Sequence, residues 1–186
     1  MVFVLNGCTS LPPRGEQPVV PWAERRAALQ GLESFGLRGR VAVSAGGEGF
    51  NASLHWEQRS DAAHLRLDGP LGFGGLEIES HDGALTLRDT RGVSLDGAAA
   101  RAELERRLGF VLPLESLRFW VLGVPDPAQP AEEVLNDARQ LSRLEQDGWA
   151  VDFDRYGHIG AQSRPVRLTV RREGARMRLV IDRWIS

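Results

Sequence analysis

Four histidines, a single cysteine and a few closely spaced carboxylates are the side chains best suited to acid-base, nucleophilic or metal chemistry in this sequence. His55, His64, His81 and His158 fall on the polar phase of alternating runs or in turns, and no two share a metal-ligand spacing. Cys8 has no second cysteine to join it at a zinc ion or in a disulfide. Asp152 and Asp154, like Glu77 and Glu79, occupy the outward phase of strand-like segments, where solubility accounts for them. There is no Gly-x-Ser-x-Gly turn to present a nucleophile. All 23 basic residues are arginine, so lysine is absent from every catalytic or phosphate-binding scheme. The Gly-rich residues 69–75 follow a strand pattern, open no helix and lead to no Lys-Ser or Lys-Thr, which excludes a nucleotide loop. A net charge of −2 argues against an electrostatic nucleic-acid binder. No residue is nominated as catalytic, cofactor-binding or metal-binding, and the chain reads as a non-enzyme.

What remains unusual is residues 69–75, GPLGFGG. Its flanks alternate: Leu65 and Leu67 on one side, Leu76 and Ile78 on the other, with His64, Arg66, Glu77 and Glu79 between them. That is the period of two half-buried antiparallel strands. The connection has four glycines and a proline, but its two large side chains, Leu71 and Phe73, are apolar where turn tips are usually polar. They either fold back under the sheet or are held out for an apolar partner.

The elements around this loop follow from periodicity. Trp22, Leu29, Leu32 and Phe35 form one face of an amphipathic helix over residues 22–35, with Gly31 its weak point. A hairpin follows, Leu37 to Ala45 alternating, then Phe50, Ala52, Leu54 and Trp56. Beyond the loop come a turn at His81-Asp82-Gly83 and strands through Leu85, Leu87, Val93 and Leu95. Asp96 is placed to cap a helix over residues 97–108 that Gly109 ends. Pro113 begins a short, mostly apolar helix stopped by Gly123 and Pro125. Residues 126–131 are a loop, and no element is assigned through Asn136. Asp147-Gly148 joins two strands as a hairpin turn, Pro165 opens another strand, and Glu173-Gly174 leads to the last. Roughly ten strands and three helices without a βαβ rhythm give a strongly curved antiparallel sheet, its concave apolar face covered by helices. Five tryptophans point to an aromatic-rich interior.

Residues 1–8 resemble a truncated lipoprotein signal, a short apolar run and a small residue before Cys8, the expected site of lipidation. Thr9 after Cys8, where aspartate does not stand, favours sorting to an outer membrane. Residues 9–21, with four prolines, form a flexible Pro-rich linker able to span roughly 40 Å at ~3.1 Å per residue. Residues 22–186 are then one domain.

An ordered set of short motifs resembles the LolB family of outer-membrane lipoprotein receptors. It comprises Trp22, Arg38-Gly39, Trp56-Glu57-Gln58, Pro70-Leu71-Gly72, Leu112-Pro113-Leu114 with Leu117, Trp120-Val121-Leu122-Gly123 with Pro125, Gln146-Asp147-Gly148-Trp149 and Asp182-Arg183-Trp184. Their order and spacing run through nearly the whole domain. Gly69 and Phe73 beside the tip leucine depart from the pattern without removing the loop's apolar character. The resemblance implies a mainly β, α+β fold: an unclosed antiparallel barrel of about 10–11 strands with about three helices over its mouth. It implies a monomer without cofactor, lipid-anchored on the periplasmic face of the outer membrane. Its hollow accepts acylated lipoproteins from a LolA-type periplasmic carrier and releases them into the outer-membrane lipid surface. It also carries the protruding-loop leucine onto Leu71; assistance from Phe73 is inferred from its apolar side chain in the same loop, not from the resemblance. On this view Trp56, Leu65, Leu67, Ile78, Trp120, Trp149, Phe153 and Met177 line the hollow, with plain core packing the alternative for each. A structural envelope lipoprotein with a filled core and a hydrolase of envelope lipids or glycans are the other two functions weighed.

Overall fold

Alternation at period two runs unbroken through most of this chain, and strands are what it builds. The computed structural model describes residues 20–69, 75–159 and 162–185. After α1 (Trp22–Gln30) come β1 (Ser34–Ala45), β2 (Glu48–Arg59), β3 (Ala62–Asp68), β4 (Leu76–His81), β5 (Ala84–Asp89) and β6 (Ser94–Asp96). Two helices follow, α2 (Gly97–Leu108) and α3 (Leu114–Trp120). The chain then returns to strands: β7 (Ala131–Leu135), β8 (Leu141–Gln146), β9 (Trp149–Ile159), β10 (Gln162–Arg172) and β11 (Ala175–Ile185).

All eleven strands belong to one antiparallel sheet in the order β6, β5, β4, β3, β2, β1, β11, β10, β9, β8, β7. The two edge strands do not pair, so the barrel is open. Strand length tapers outward, from 12 residues in β1 and β2 to three in β6 and five in β7. Tight turns set the meander: Asp82-Gly83 and Asp147-Gly148 both take positive φ at each residue, the backbone a two-residue hairpin needs. At the centre of the sheet, Arg38 faces Arg183 but Gly39 faces Ile181, leaving Asp182 as a bulge. A Cβ on Gly39 would lie 2.2 Å from the Val180 carbonyl oxygen, so only glycine lets the two strands close there.

In-register apolar rows cover the inner face. One row crosses seven strands as Trp184, Leu37, Trp56, Leu65, Ile78, Leu87 and Leu95. Ala100, Leu104 and Leu108 of α2 and Leu114, Leu117 and Trp120 of α3 are buried with it.

Four sequence expectations need correction. The first helix stops at Gln30, capped by Gly31, and Phe35 belongs instead to the buried phase of β1 at 5% exposure. Residues 131–135 form edge strand β7. Pro165 does not open β10; it sits inside the strand beside a register shift, a position where proline is tolerated. Asp96 occupies the N-cap position, but its carboxylate accepts from Thr86 Oγ1 at 2.7 Å and makes no cap hydrogen bond.

Candidate functional site

The inner face and the two helices over it enclose an apolar interior. Trp56, Leu65 and Ile78 stand side by side in the long row, at 1%, 4% and 1% exposure, and Leu67 lies half-buried in the next row between Leu54 and Leu76. Trp149 and Phe153 come from β9, Met177 from β11 and Trp120 from α3, and all four are buried. Trp120 and Trp149 meet with ring centroids 6.4 Å apart, and Phe110 packs edge-on against Trp149 at 5.5 Å. The sequence-derived set therefore falls into a strand row and an aromatic group beneath α3. Cys8, Leu71 and Phe73 lie outside the described residues. Between the β1–β2 hairpin and the C-terminal end of α2, a depression of about 380 Å³ opens over Val43, Phe50 and Leu108, with Arg106 and Arg107 at its border.

Buried polar groups that the sequence reading missed hold this arrangement. Gln146 Oε1 accepts from Trp120 Nε1 at 2.8 Å and from the Asp126 amide at 2.9 Å, while its Nε2 donates to the carbonyls of Asp126 and Gln129. The amide thus has two acceptor and two donor bonds made, its full capacity. Ser116 donates to Asp126 Oδ2 at 2.8 Å, and Oδ1 of the same carboxylate accepts from the Ala128 amide. Together these fasten α3 to β8. Gln58 plays a smaller part under Trp56, taking its indole N–H and donating to the Ser60 carbonyl. The available signal was phase: Gln58 and Gln146 are polar residues at apolar positions of their strands.

α1 is tied down at the end of the sheet formed by β7 to β10. Trp22 Nε1 donates to Glu133 Oε2 at 2.6 Å and Arg26 to Oε1 at 2.9 Å, while Gln30 donates to the Pro125 carbonyl. Arg25 donates to the Ser163 carbonyl and lies 6.0 Å from the Tyr156 ring centroid. Burial lowers the Arg25 pKa and raises that of the Tyr156 phenol, which keeps its proton and donates it to the Leu141 carbonyl. On α2, hydrogen bonds from Arg106 and Arg107 hold the Glu103 carboxyl down at about 2.

Most titratable groups on the outer face are paired or exposed; Arg167 is half-buried, and its Nε has no hydrogen-bond partner among the described residues. Asp152 meets Arg171, Asp154 accepts from Thr169, and Glu79 accepts from Arg88 at 2.9 Å. His81 comes within 3.7 Å of Asp61 and 3.5 Å of Asp82 in a surface turn, all three exposed. Among the described residues no helix is long and apolar enough to cross a membrane.

The open antiparallel sheet with its apolar inner face beneath helices is a fold shared with solved structures of other proteins. A LolA superfamily protein from Nitrosomonas europaea superposes with a TM-score of 0.57 at 9% identity, covering 89% of this chain and 93% of that one. A lipoprotein-sorting protein domain from Vibrio parahaemolyticus, described as a putative outer membrane one, gives 0.54 at 8% identity, covering 88% and 90%; both likenesses are of fold. The model of the family described as outer membrane lipoprotein LolB matches residues 33–184, and the chain belongs to that family. Outer-membrane lipoprotein LolB of Nitrosococcus oceani is 34% identical over 98% of this chain and 92% of its own length. That of Halorhodospira halophila is 34% identical over 98% and 90%.

Proposed function

We propose that this protein is an outer-membrane receptor that takes acylated lipoproteins from a LolA-type carrier into its apolar interior and passes them into the membrane. Membership of the LolB family over residues 33–184 carries this reading. The apolar inner face gives it a physical basis. Each methylene buried is worth ~0.8 kcal/mol, so an acyl chain does not cross water unaided. Moving it from one apolar enclosure to another needs only a modest difference in affinity, and no bond is made or broken.

In the conformation described, seven of the eight expected lining residues are buried against their neighbours. Cargo enters when the helices move off the sheet, and the depression between the β1–β2 hairpin and the α2 C-terminus is an opening at that border. Cys8 carries the anchor, residues 9–21 tether the domain 22–186, and Leu71 with Phe73 dips into the bilayer as the acyl chains leave.

The test uses a carrier loaded with acylated lipoprotein, mixed first with this protein and then with liposomes. Cargo is expected to move onto this protein, and release into liposomes is expected to fail in Leu71→Glu alone. Cargo that stays on its carrier while this protein is folded overturns the receptor reading.

A further inference from the structure

Arginines are treated differently on the two parts of the sheet. On β2, β3 and β5, in the turn after β5 and on α2, Arg59, Arg66, Arg88, Arg91, Arg106 and Arg107 each pair with a carboxylate, while Arg101 of α2 donates to the Gly83 carbonyl. On the outer face of β1, β11, β10 and β9, Arg38, Arg155, Arg167, Arg176, Arg178 and Arg183 pair with none among the described residues. Register places like charges side by side there: Arg38 directly faces Arg183, Arg167 faces Arg155, and Arg176 faces Arg171. Directly opposed like charges destabilise a sheet, so local stability does not explain them. The acids of this face are already engaged, Asp182 by Arg40, Asp152 by Arg171, and Asp154 by the Thr169 hydroxyl.

The face also has a shallow centre. A depression of about 630 Å³ is floored by Ala42 and Val180 and bordered by Asn51, Ser53, Asp68 and Arg178. The Asp68 carboxylate is held by Arg66 at 3.1 Å. The chain leaves for residues 70–74 from Gly69, at the border of the same depression.

We propose that the outer face of β1, β11, β10 and β9 is a docking surface for the phosphate headgroups of an anionic phospholipid bilayer. Unpaired guanidinium groups spread over four adjacent strands match a field of phosphates, to which arginine binds with two parallel N–H donors. Small residues among them, Ala42 and Ser44, let a flat surface approach and supply none of the aromatic anchors that a protein interface uses. The inference rests on reading this chain as a receptor at the bilayer, and it sets which side of the sheet lies against the lipid.

The test is sedimentation of the full chain, produced without acylation, with phosphatidylcholine vesicles containing or lacking phosphatidylglycerol. Each arginine removed is expected to weaken binding to the anionic vesicles roughly fivefold, so Arg38→Gln/Arg183→Gln and Arg155→Gln/Arg167→Gln lose roughly 25-fold. Binding falls as salt rises, Arg88→Gln binds like the parent, and neither double variant melts below it. Equal binding of parent and double variants, equal binding to both vesicle types, or an equal loss in Arg88→Gln overturns the proposal. So does loss of carrier capture with vesicle binding intact, which makes this a protein-docking face. Cargo transfer from carrier to receptor without vesicles is unchanged in the double variants; its failure in the parent sinks the receptor reading and leaves the vesicle result standing.

Discussion

Trp56 and Trp120 are both out of water, at 1% and 0% exposure, and both give their indole N–H to a buried glutamine, yet the two are held differently. Trp56 lies within a twelve-residue strand, flanked in register by Leu37 and Leu65, with the Phe35 ring 5.7 Å away and its glutamine two residues on. Trp120 ends a seven-residue helix, and its glutamine is 26 residues distant on β8, shared with Asp126. The first arrangement is fastened by strand ladders and apolar rows that lose stability wherever water enters. The second adds to the buried Leu114 and Leu117 a set of buried hydrogen bonds to residues distant in the chain, each costly to leave unmade. The strand side of the interior is thus held by neighbours in register, and the α3 side by groups drawn from three separate segments.

Truncation of the two tryptophans is the strongest way to break that contrast. In urea unfolding, Trp56→Ala is expected to lose about 3–5 kcal/mol, whereas Trp120→Ala falls at or below the lower end because a short helix can collapse onto the gap. Equal losses would show α3 to be as integral as β2. The glutamines sharpen the comparison: Gln146→Leu leaves four groups without their partner and costs about 3 kcal/mol, against about 1 kcal/mol for Gln58→Leu. Amide hydrogen exchange in Gln146→Leu should quicken along α3 and leave β2 unchanged.

The smallest effect concerns α2. The Glu103 carboxyl sits at about 2, below the 4.5 of the free side chain, so its bonds to Arg106 and Arg107 stabilise the fold fully above pH 4.5. That contribution fades as pH falls toward 2. Glu103→Gln should therefore melt slightly below the parent at neutral pH, and the two curves should converge near pH 2.

Much of this was legible in the sequence because it is local. Alternating Leu and Val phases, Asp-Gly turns, and Gly109 as a helix end each report on their immediate neighbours, whereas α3 stops at Trp120, before the expected Gly123. What escaped depends on distant partners. β7 offers Ala131 and Glu133 to the inner side, and an inward carboxylate reads as loop until Trp22 and Arg26, 111 and 107 residues away, are seen to hold it. Ser116, Asp126 and Gln146 lie in three separate segments, and no spacing announces their network. The outer-face arginines were visible as a phase in β10, but only the register between strands shows like charges facing each other.

The taper of the sheet bears on how the protein survives crowding. An open sheet exposes the hydrogen-bonding groups of two edges, and molecules confined to a surface meet often enough for edges to join into ribbons. Here the outermost strands are three and five residues long. A ribbon seeded at either end would gain only a few backbone bonds before the ladder ran out, too few to fix its register. The barrel can thus stay open without becoming a template for fibres.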